Sequence, residues 1–113
     1  MAKPNIIQLS EFDITQKIIE SLSNVCTRAV LFSIKDSSKD ANQISDELKI
    51  SLSTVYKTLS TLEDLALAEV AEYIISDEGK KIKKYKSRIG KVEITLTGSE
   101  PVLNLYPNNG SDE

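Results

Sequence analysis

The fold is decided by residues 43–67, QISDELKISLSTVYKTLSTLEDLAL. Two short amphipathic segments meet there at a tight turn, residues 49–51. In the second segment Val55, Leu59 and Leu62 recur at the four- and three-residue intervals of a buried helical stripe, and in the first segment Ile44 and Leu48 do the same. We therefore predict two helices, over about 41–49 and 52–65, that pack on a common core as a helix-turn-helix.

Polar residues in front of each segment predict where the helices begin. Asp40 precedes the first helix, and Gln43, three residues later, completes the spacing of a capping box. Ser51 stands at the same place before the second helix. A cap at Ser51 leaves the first-turn N–H groups facing outward at the positive end of the helix dipole. This arrangement suits a helix that enters the major groove of DNA with its first turns.

Further elements flank this pair. Upstream, apolar residues at helical spacing predict helices over about 13–23 and 24–35. Ser23 or Asn24 would cap the second, whose inward stripe would be Val25, Ala29, Val30 and Ile34. Downstream, residues 68–75 and 80–89 predict a β-hairpin that turns at residues 76–79. Residues 91–97 alternate strictly between apolar and polar, and an apolar run over 102–106 follows.

The chain length bounds the domain organisation, since 113 residues suffice for one compact domain and a short appendage. We predict a flexible N-terminal arm over 1–12 and a domain over 13–97. The segment 98–113 would hold a C-terminal strand followed, from Pro107 onward, by a disordered tail. Residues 13–24 and 91–106 are the candidate homodimer elements, unless the helix and the strands cover one another within one chain.

Composition argues against several classes of function. The chain has one cysteine, Cys26, and no histidine, so the commonest zinc ligands and the commonest general base are missing. The four glycines are scattered and form no phosphate-binding loop. We expect no enzymatic activity, no metal and no cofactor. Because no apolar run approaches the ~20 residues of a membrane span and no signal-peptide pattern begins the chain, we expect a cytoplasmic, nucleoid-associated protein.

Positive charge is concentrated in one segment although the net charge is −3. Residues 80–91 hold seven of the 14 basic residues and no acidic one. Local charge of this kind, rather than net charge, governs binding to a polyanion. The basic residues are Lys80, Lys81, Lys83, Lys84, Lys86, Arg88 and Lys91.

These residues together resemble the winged helix-turn-helix superfamily of prokaryotic transcription regulators. The matching positions are Ile44, Leu48, Ile50, Ser51, Thr54, Val55, Tyr56, Lys57, Leu59, Leu62 and Leu67. Upstream, residues 22–28 with Val30 and Leu31 are similar to the first core helix of arsenic-repressor-like proteins, and small archaeal regulators of this kind fit best. The resemblance covers about residues 20–90. It implies a winged helix-turn-helix fold with a basic hairpin as the wing, here residues 76–91.

The sequence departs from the family at three positions. Lys49 and Ala66 stand where glycine is usual, and Ser45 stands where alanine is usual. Residues 53–59 also resemble the ferric-uptake-regulator family, but a chain without histidine cannot carry the metal sites of that family.

The resemblance implies a homodimeric regulator, such as a repressor, that binds double-stranded DNA sequence-specifically and blocks or recruits polymerase. The helix over 52–65 would enter the major groove, and the wing would lie on phosphates near the minor groove. The candidate recognition residues are Ser51, Ser53, Thr54, Tyr56, Lys57 and Thr61. The candidate wing contacts are Lys80, Lys81, Lys83, Lys84, Lys86 and Arg88.

Two alternatives stay open at this point. Because the recognition segment carries one positive charge, Lys57, the domain could instead bind an acidic protein partner in a transcription complex. A regulator gated by an organic ligand is the other alternative.

Basic residues on both faces of residues 81–88 favour an exposed hairpin on phosphates over a strand that packs one side into a core.

Overall fold

In the computed structural model, residues 14–108 are described, and within them four helices precede two β-hairpins. The α+β part of the prediction is confirmed. The predicted arm over 1–12 and the tail residues 109–113 lie outside the described residues. The elements are α1 (residues 14–22), α2 (Val25–Ser33), α3 (Ala41–Leu48), α4 (Leu52–Asp64), β1 (Ala68–Ile75), β2 (Lys81–Ser87), β3 (Ile89–Thr95) and β4 (Val102–Pro107).

Two helices, not one, form the N-terminal part, and Asn24 separates them. Its side chain accepts a hydrogen bond from the Thr27 N–H at 3.1 Å and so caps α2. The Arg28 guanidinium donates to the carbonyl of Leu22 at 2.8 Å and satisfies an end of α1. None of the helices within 14–108 is both long enough and apolar enough to cross a membrane.

The predicted inward position of Val25 is wrong, because this side chain is 70% exposed. The buried residues of α2 and its C-cap are Val30, Leu31 and Ile34. At 3.6 residues per turn these three share one side of the helix, and Val25 lies on the opposite side. The predicted burial of Val30 and Ile34 is confirmed, Ala29 is half-buried, and the error is confined to Val25.

Both halves of the helix pair begin at the predicted caps. The Asp40 carboxylate accepts a hydrogen bond from the Gln43 N–H at 2.8 Å, and the Gln43 side chain accepts one from the Asp40 N–H at 2.9 Å. The Ser51 hydroxyl accepts from the Thr54 N–H at 3.2 Å. The capping box and the serine cap are therefore confirmed.

The chain leaves both helices of the pair through a left-handed residue. Lys49 has φ 59° at the end of α3, and Ala66 has φ 61° after α4. These are the two positions at which glycine is usual in the resembled family, and glycine adopts this conformation without a steric penalty. Across the turn after α3, the Ser45 hydroxyl donates to the carbonyl of Ile50 at 2.6 Å.

Side chains from every helix and from both hairpins form one hydrophobic core. Its largest fully buried members are Val30, Leu31, Ile34, Ile44, Val55, Leu59, Leu62 and Leu67. The predicted stripe of α4 is confirmed, and Leu48 and Ile50 pack against the same core partly buried. Helix α1 contributes Ile18 and Leu22 to this core. The side of α1 that carries them, in the segment predicted as a dimer element, therefore packs against its own chain.

β1 and β2 form the basic hairpin, and its turn is the predicted one. The Gly79 N–H donates to the Ser76 carbonyl at 2.9 Å, and Gly79 has φ 83°. The pairing register shifts between Val70 and Glu72, which leaves Ala71 as a bulge. This shift determines which residues of β1 and β2 lie opposite one another.

Backbone hydrogen bonds attach the base of the basic hairpin to the helical layer. Lys39, in the connection between α2 and α3, exchanges two hydrogen bonds with Tyr85 of β2, at 3.0 and 2.7 Å. The Ser87 N–H donates to the Ile34 carbonyl at 2.9 Å. The base of the hairpin is therefore held on the core while its tip projects.

The second hairpin follows after one linking residue, Arg88. The Ser87 hydroxyl accepts from the Ile89 N–H at 3.0 Å and donates to the Ile89 carbonyl at 2.7 Å, which turns the chain sharply. β3 consequently begins two residues earlier than the predicted strand, and Leu96 lies beyond its end, 69% exposed.

The disorder predicted from Pro107 onward is wrong for the first two residues. Pro107 pairs with Ile89 as the last residue of β4, and Asn108 is hydrogen-bonded to the core. A methyl group on Gly90 would lie 3.1 Å from the Pro107 carbonyl oxygen, so glycine at 90 permits this close pairing.

Candidate nucleic-acid interface

The exposed side of α4 carries the predicted recognition residues. Its buried residues, Val55, Leu59 and Leu62, occupy one side of the helix. The exposed predicted residues are Ser51, Ser53, Thr54, Tyr56, Lys57 and Thr61. Lys57 is the one charged residue of this set, and the exposed carboxylates of Glu63 and Asp64 lie at the other end of α4.

The predicted recognition residues lie on two flanks of α4. Thr54, Lys57 and Thr61 line a shallow pocket of about 250 Å³ against Asn24 and Cys26 at the start of α2. Tyr56, on the other flank, is 52% exposed and faces the basic hairpin. The fold therefore separates Tyr56 from the threonines, which the sequence alone did not indicate.

Hydroxyl groups at the start of α4 are already hydrogen-bonded to one another. The Ser51 hydroxyl donates to the Thr54 hydroxyl at 2.8 Å and lies 3.3 Å from that of Ser53. The Thr61 hydroxyl donates to the Lys57 carbonyl at 3.2 Å. A partner that binds here would meet the Ser51–Thr54 pair as a preformed unit, since its geometry does not depend on a ligand.

One face of the basic hairpin combines lysines with apolar and aromatic residues. Lys81 lies opposite Ile75, and Lys83 lies opposite Tyr73, in the antiparallel register. Residues paired in this way project from the same face of a sheet. The Lys81 ammonium is 4.7 Å from the centroid of the Tyr73 ring, within cation–π range. No acidic side chain lies opposite either lysine.

On the other face of the basic hairpin, acidic side chains lie opposite the lysines and compensate their charge. Lys84 lies opposite Glu72, and Lys86 lies opposite Glu69. Opposite charges across two strands attract each other and lower the potential that a distant polyanion would experience. The hairpin with its linker, residues 68–88, has six basic and four acidic residues in total. Its effective positive charge is therefore concentrated on the face of Lys81 and Lys83.

A cleft joins α4 to this face of the hairpin. The cleft, about 550 Å³ in volume, lies between Tyr56 of α4, the N-terminus of α3 and the hairpin. We call it the Tyr56 cleft. Its lining residues are Asp40, Ala41, Asn42, Tyr56, Ser76, Glu78, Lys80, Lys81, Ile82, Lys83 and Tyr85. Three of the predicted wing lysines therefore meet one predicted recognition residue.

The remaining predicted wing residues lie elsewhere. Lys84 and Lys86 are on the opposite face, and Arg88 is exposed in the link between the hairpins. In β3, the Lys91 ammonium lies 3.2 Å from a carboxylate oxygen of Glu93, as an ion pair. The same ammonium lies over the Tyr106 ring, 5.0 Å from its centroid. The seven basic residues thus do not act as one patch.

The interpretation that β2 does not pack into a core is wrong. Tyr85 and Ser87 are 5% and 2% exposed, so the second half of the strand is anchored. The basic residues do alternate onto both faces as predicted, but the free part of the hairpin is limited to its outer half, residues 73–83.

Tyr85 is a cleft residue that sequence reasoning assigned no role. Burial raises the pKa of its hydroxyl, and the carboxylate of Glu63 raises it further. A tyrosine hydroxyl is already protonated at neutral pH, and this shift moves its titration further from that range, so it can donate a hydrogen bond in the cleft. The strict alternation Lys81, Lys83, Tyr85 in β2 was the available signal that this ring shares the face of the lysines.

Two carboxylates also line the Tyr56 cleft and oppose the binding of an anion. The Asp40 carboxylate accepts the capping hydrogen bond of α3, and Glu78 lies at the hairpin tip. Within residues 14–108 no group of three or more acidic or cysteine side chains is placed to hold a metal ion. The chemistry available at the cleft is charge attraction, hydrogen bonding and aromatic stacking.

No model of a known protein family matches the chain, and no curated protein is significantly similar to it. The resemblance to winged helix-turn-helix regulators stays a prediction from the residues quoted above.

Proposed function

We propose that the chain is a winged helix-turn-helix transcription regulator that binds double-stranded DNA. In this proposal α4 lies in the major groove, and the outer half of the basic hairpin acts as the wing on the neighbouring phosphates. The order of elements supports it. The helix pair α3–α4 follows α2 and is followed directly by a hairpin, and the Lys39–Tyr85 bridge holds that hairpin beside the pair.

The observation that carries the proposal is the Tyr56 cleft. A regulator of this kind needs a base-reading helix and phosphate contacts that reach the same stretch of duplex. Tyr56 of α4 and Lys81 and Lys83 of the hairpin line one cleft, and the register leaves these two lysines without acidic partners opposite them. A sugar–phosphate backbone that passes along this cleft would contact all three.

The test compares two double variants with equal loss of charge. Lys81→Gln/Lys83→Gln removes charge from the cleft face, and Lys84→Gln/Lys86→Gln removes the same charge from the compensated face. Binding to a random duplex of about 20 base pairs is measured by fluorescence anisotropy over a salt series.

We expect the cleft-face variant to lower the magnitude of the log–log salt slope by up to about 1.8, since each phosphate contact contributes about 0.9. The control variant should change the slope by much less. Equal effects from the two variants would mean that the lysines act as diffuse charge, and a wild-type protein that ignores duplex DNA at low salt would contradict the proposal.

Exposed apolar residues in β1 favour a second candidate, a protein-interaction module of a transcription complex. Ile75 is 67% exposed, and Tyr73 is 52% exposed, both beside lysines. An acidic partner with apolar anchors would fit such a surface. In this case Ile75→Ser would abolish binding to the partner while duplex DNA at moderate salt would not compete.

A further inference from the structure

An apolar groove of about 440 Å³ lies between the two N-terminal helices and the β3–β4 hairpin, and it shares no lining residue with the Tyr56 cleft. Its apolar walls are Ile19 and Leu22 of α1, Phe32 of α2, and Val92 and Ile94 of β3. Val92 and Ile94 are two positions apart in a strand and therefore project from one face of the hairpin. Elements far apart in the sequence thus enclose an apolar space outside the site described above.

Two polar residues, Ser23 and Arg28, complete the lining, which contains no acidic residue. We call the site formed by these residues and the apolar walls the Arg28 groove. The Ser23 hydroxyl already donates to the Glu20 carbonyl at 2.6 Å, so it can only accept a further hydrogen bond. Arg28 therefore supplies the charge and the free hydrogen-bond donors of the lining side chains.

The Arg28 guanidinium is held in position but not neutralised. One of its nitrogens donates to the Leu22 carbonyl at 2.8 Å, which ties the side chain to the end of α1. Within residues 14–108, Arg28 forms no ion pair. A guanidinium carries several N–H donors in a plane that matches a carboxylate, and one hydrogen bond leaves others free. The groove therefore combines apolar walls with a fixed positive charge that has no anionic partner among the described residues.

We propose that the Arg28 groove binds a small monocarboxylate with an apolar aliphatic or aromatic body, such as a medium-chain carboxylic acid. The carboxylate would pair with the Arg28 guanidinium, and the apolar body would lie against Ile19, Phe32 and Ile94. The sequence leaves an organic ligand open as an alternative, and the groove gives that alternative a place and a chemical class.

The single cation of the groove determines the charge of the ligand. A phosphate monoester carries almost two negative charges at neutral pH. The second charge would lie beside apolar side chains without a partner, and such burial is costly. A carboxylate carries one charge, and its two oxygens match the planar fork of an arginine. A monocarboxylate therefore fits the Arg28 groove better than a phosphate or an uncharged body does.

The volume of the groove determines the size of the ligand. Small-molecule sites commonly measure about 300–1,000 Å³, and 440 Å³ lies within this range. At about 30 Å³ for each water-sized group, the groove holds on the order of 15 non-hydrogen atoms, which suits an acid of about eight to twelve carbons. Such a ligand would also cover Phe32 and Ile94, which are 39% and 45% exposed.

The test is isothermal titration calorimetry of the full chain with sodium octanoate and with octanamide, which has the same chain but no charge. Arg28→Gln removes the positive charge and keeps an N–H donor for the Leu22 carbonyl. Its matched control is Lys17→Gln, which removes the same charge from an exposed position of α1 outside the groove. The site does not depend on the proposed function, and no DNA is present, so failure of either is seen in a separate experiment.

We expect the wild type and Lys17→Gln to bind octanoate about three- to tenfold more tightly than octanamide, the range of a partly exposed ion pair with arginine. Arg28→Gln should bind the two compounds with similar affinity. Decanoate should bind the wild type more tightly than octanoate does, by up to about fourfold for each added methylene group that is buried.

A second pair of variants tests the apolar wall. Ile94→Ser should weaken the binding of octanoate and octanamide alike, because both bury their chain against this residue. Ile75→Ser, the same change at an exposed position of β1 outside the groove, should weaken neither. Circular dichroism checks that each variant is folded, and the Ile94 pair carries the test if Arg28→Gln is not.

A wild type that binds neither octanoate nor decanoate at millimolar concentration overturns the proposal, whether a second copy or another part of the chain covers the groove. Sedimentation at the same protein concentration separates those two cases. Equal affinity of the wild type for octanoate and octanamide excludes the pairing with Arg28. Octanoate binding that survives both Arg28→Gln and Ile94→Ser contradicts the site, and capture by phosphatidylglycerol vesicles without binding of free octanoate would assign the groove to a lipid surface instead.

Discussion

The side-chain amide of Asn108 donates a hydrogen bond of 2.7 Å to the backbone carbonyl of Lys35, 73 residues earlier in the chain. It donates a second one of 3.0 Å to the carbonyl of Ser87. Lys35 follows α2, Ser87 ends β2 and Asn108 follows β4. One amide group therefore joins the helical layer to the bases of both hairpins.

Replacement of Asn108 by alanine should lower the free energy of unfolding by about 1–3 kcal/mol, because two partly buried carbonyls lose their donor. Urea denaturation followed by circular dichroism measures this loss. Asn104→Ala is the matched control, since Asn104 is exposed in the middle of β4. If the two variants are equally stable, the Asn108 bonds do not contribute to the stability of the fold.

Glycine at the two left-handed positions should stabilise the protein. Lys49 and Ala66 have φ 59° and 61°, a conformation that disfavours a side chain with a Cβ atom by roughly 1–2 kcal/mol. Glycine also raises the conformational entropy of the unfolded chain, which offsets part of this relief. Each of Lys49→Gly and Ala66→Gly should therefore raise the free energy of unfolding by about 0.5–1 kcal/mol. Thermal and urea unfolding provide the measurement.

Glycine inside a helix provides the control for this prediction. Ser60→Gly, at an exposed position of α4, should destabilise the protein by about 0.5 kcal/mol through lower helix propensity. Destabilisation by all three substitutions would show that the left-handed backbone at Lys49 and Ala66 carries no strain for glycine to relieve.

Asp40→Asn should strengthen DNA binding without loss of stability. Asparagine caps a helix as well as aspartate does, so α3 keeps its first-turn hydrogen bond. The substitution removes a negative charge from the Tyr56 cleft, where a phosphate would lie. Removing one screened negative charge from beside a bound phosphate should raise the affinity for DNA by about threefold at low salt.

The matched control for this substitution is Asp46→Asn, an exposed position of α3 that does not line the cleft. Anisotropy titrations at low and moderate salt compare the two variants. Should Asp46→Asn raise the affinity as much as Asp40→Asn, the effect would reflect net charge, and the cleft would not be the path of the backbone.

The Tyr106 hydroxyl donates to the Glu93 carboxylate at 2.9 Å, and this bond lowers the pKa of Glu93 below its ordinary value, with Lys91 contributing. Because the folded-state pKa is the lower one, the bond stabilises the fold above the ordinary glutamate pKa. This stabilisation is lost as the pH falls through the folded-state value. Tyr106→Phe should therefore raise the pKa of Glu93 toward its ordinary value.

Carboxyl-detected NMR titration of the wild type and Tyr106→Phe tests this pair directly. The melting temperatures of the two proteins should differ near neutral pH and converge at low pH, where Glu93 is protonated in both. Identical titration curves for Glu93 in the two proteins would exclude the hydrogen bond as the cause of the lowered pKa.

Local chemistry made much of the fold predictable. The Asp40–Gln43 box, the Ser51 cap and the α4 stripe all involve residues within one or two helical turns, so their spacing carries the information. Val25 was misplaced because a nine-residue helix with apolar residues on several sides has no unique inward face until its neighbours are known.

The candidate site was predictable by residue type and not by arrangement. The lysine segment is plain in the sequence, yet Lys83 faces Tyr73 while Lys84 faces Glu72 only because of the register and the bulge at Ala71. A shift of one residue would exchange the two faces. Nothing in the spacing along β2 indicates which of its lysines have acidic neighbours.

By itself, the sequence determined the α+β order of elements, the helix starts and the buried stripe of α4, since these depend on contacts between residues near one another in the chain. Only the tertiary structure decided that Tyr56 shares a cleft with Lys81 and Lys83 and that Asn108 binds Lys35. Those relations join residues tens of positions apart, and the pairing register and helix packing that create them arise only when the whole chain condenses on one core.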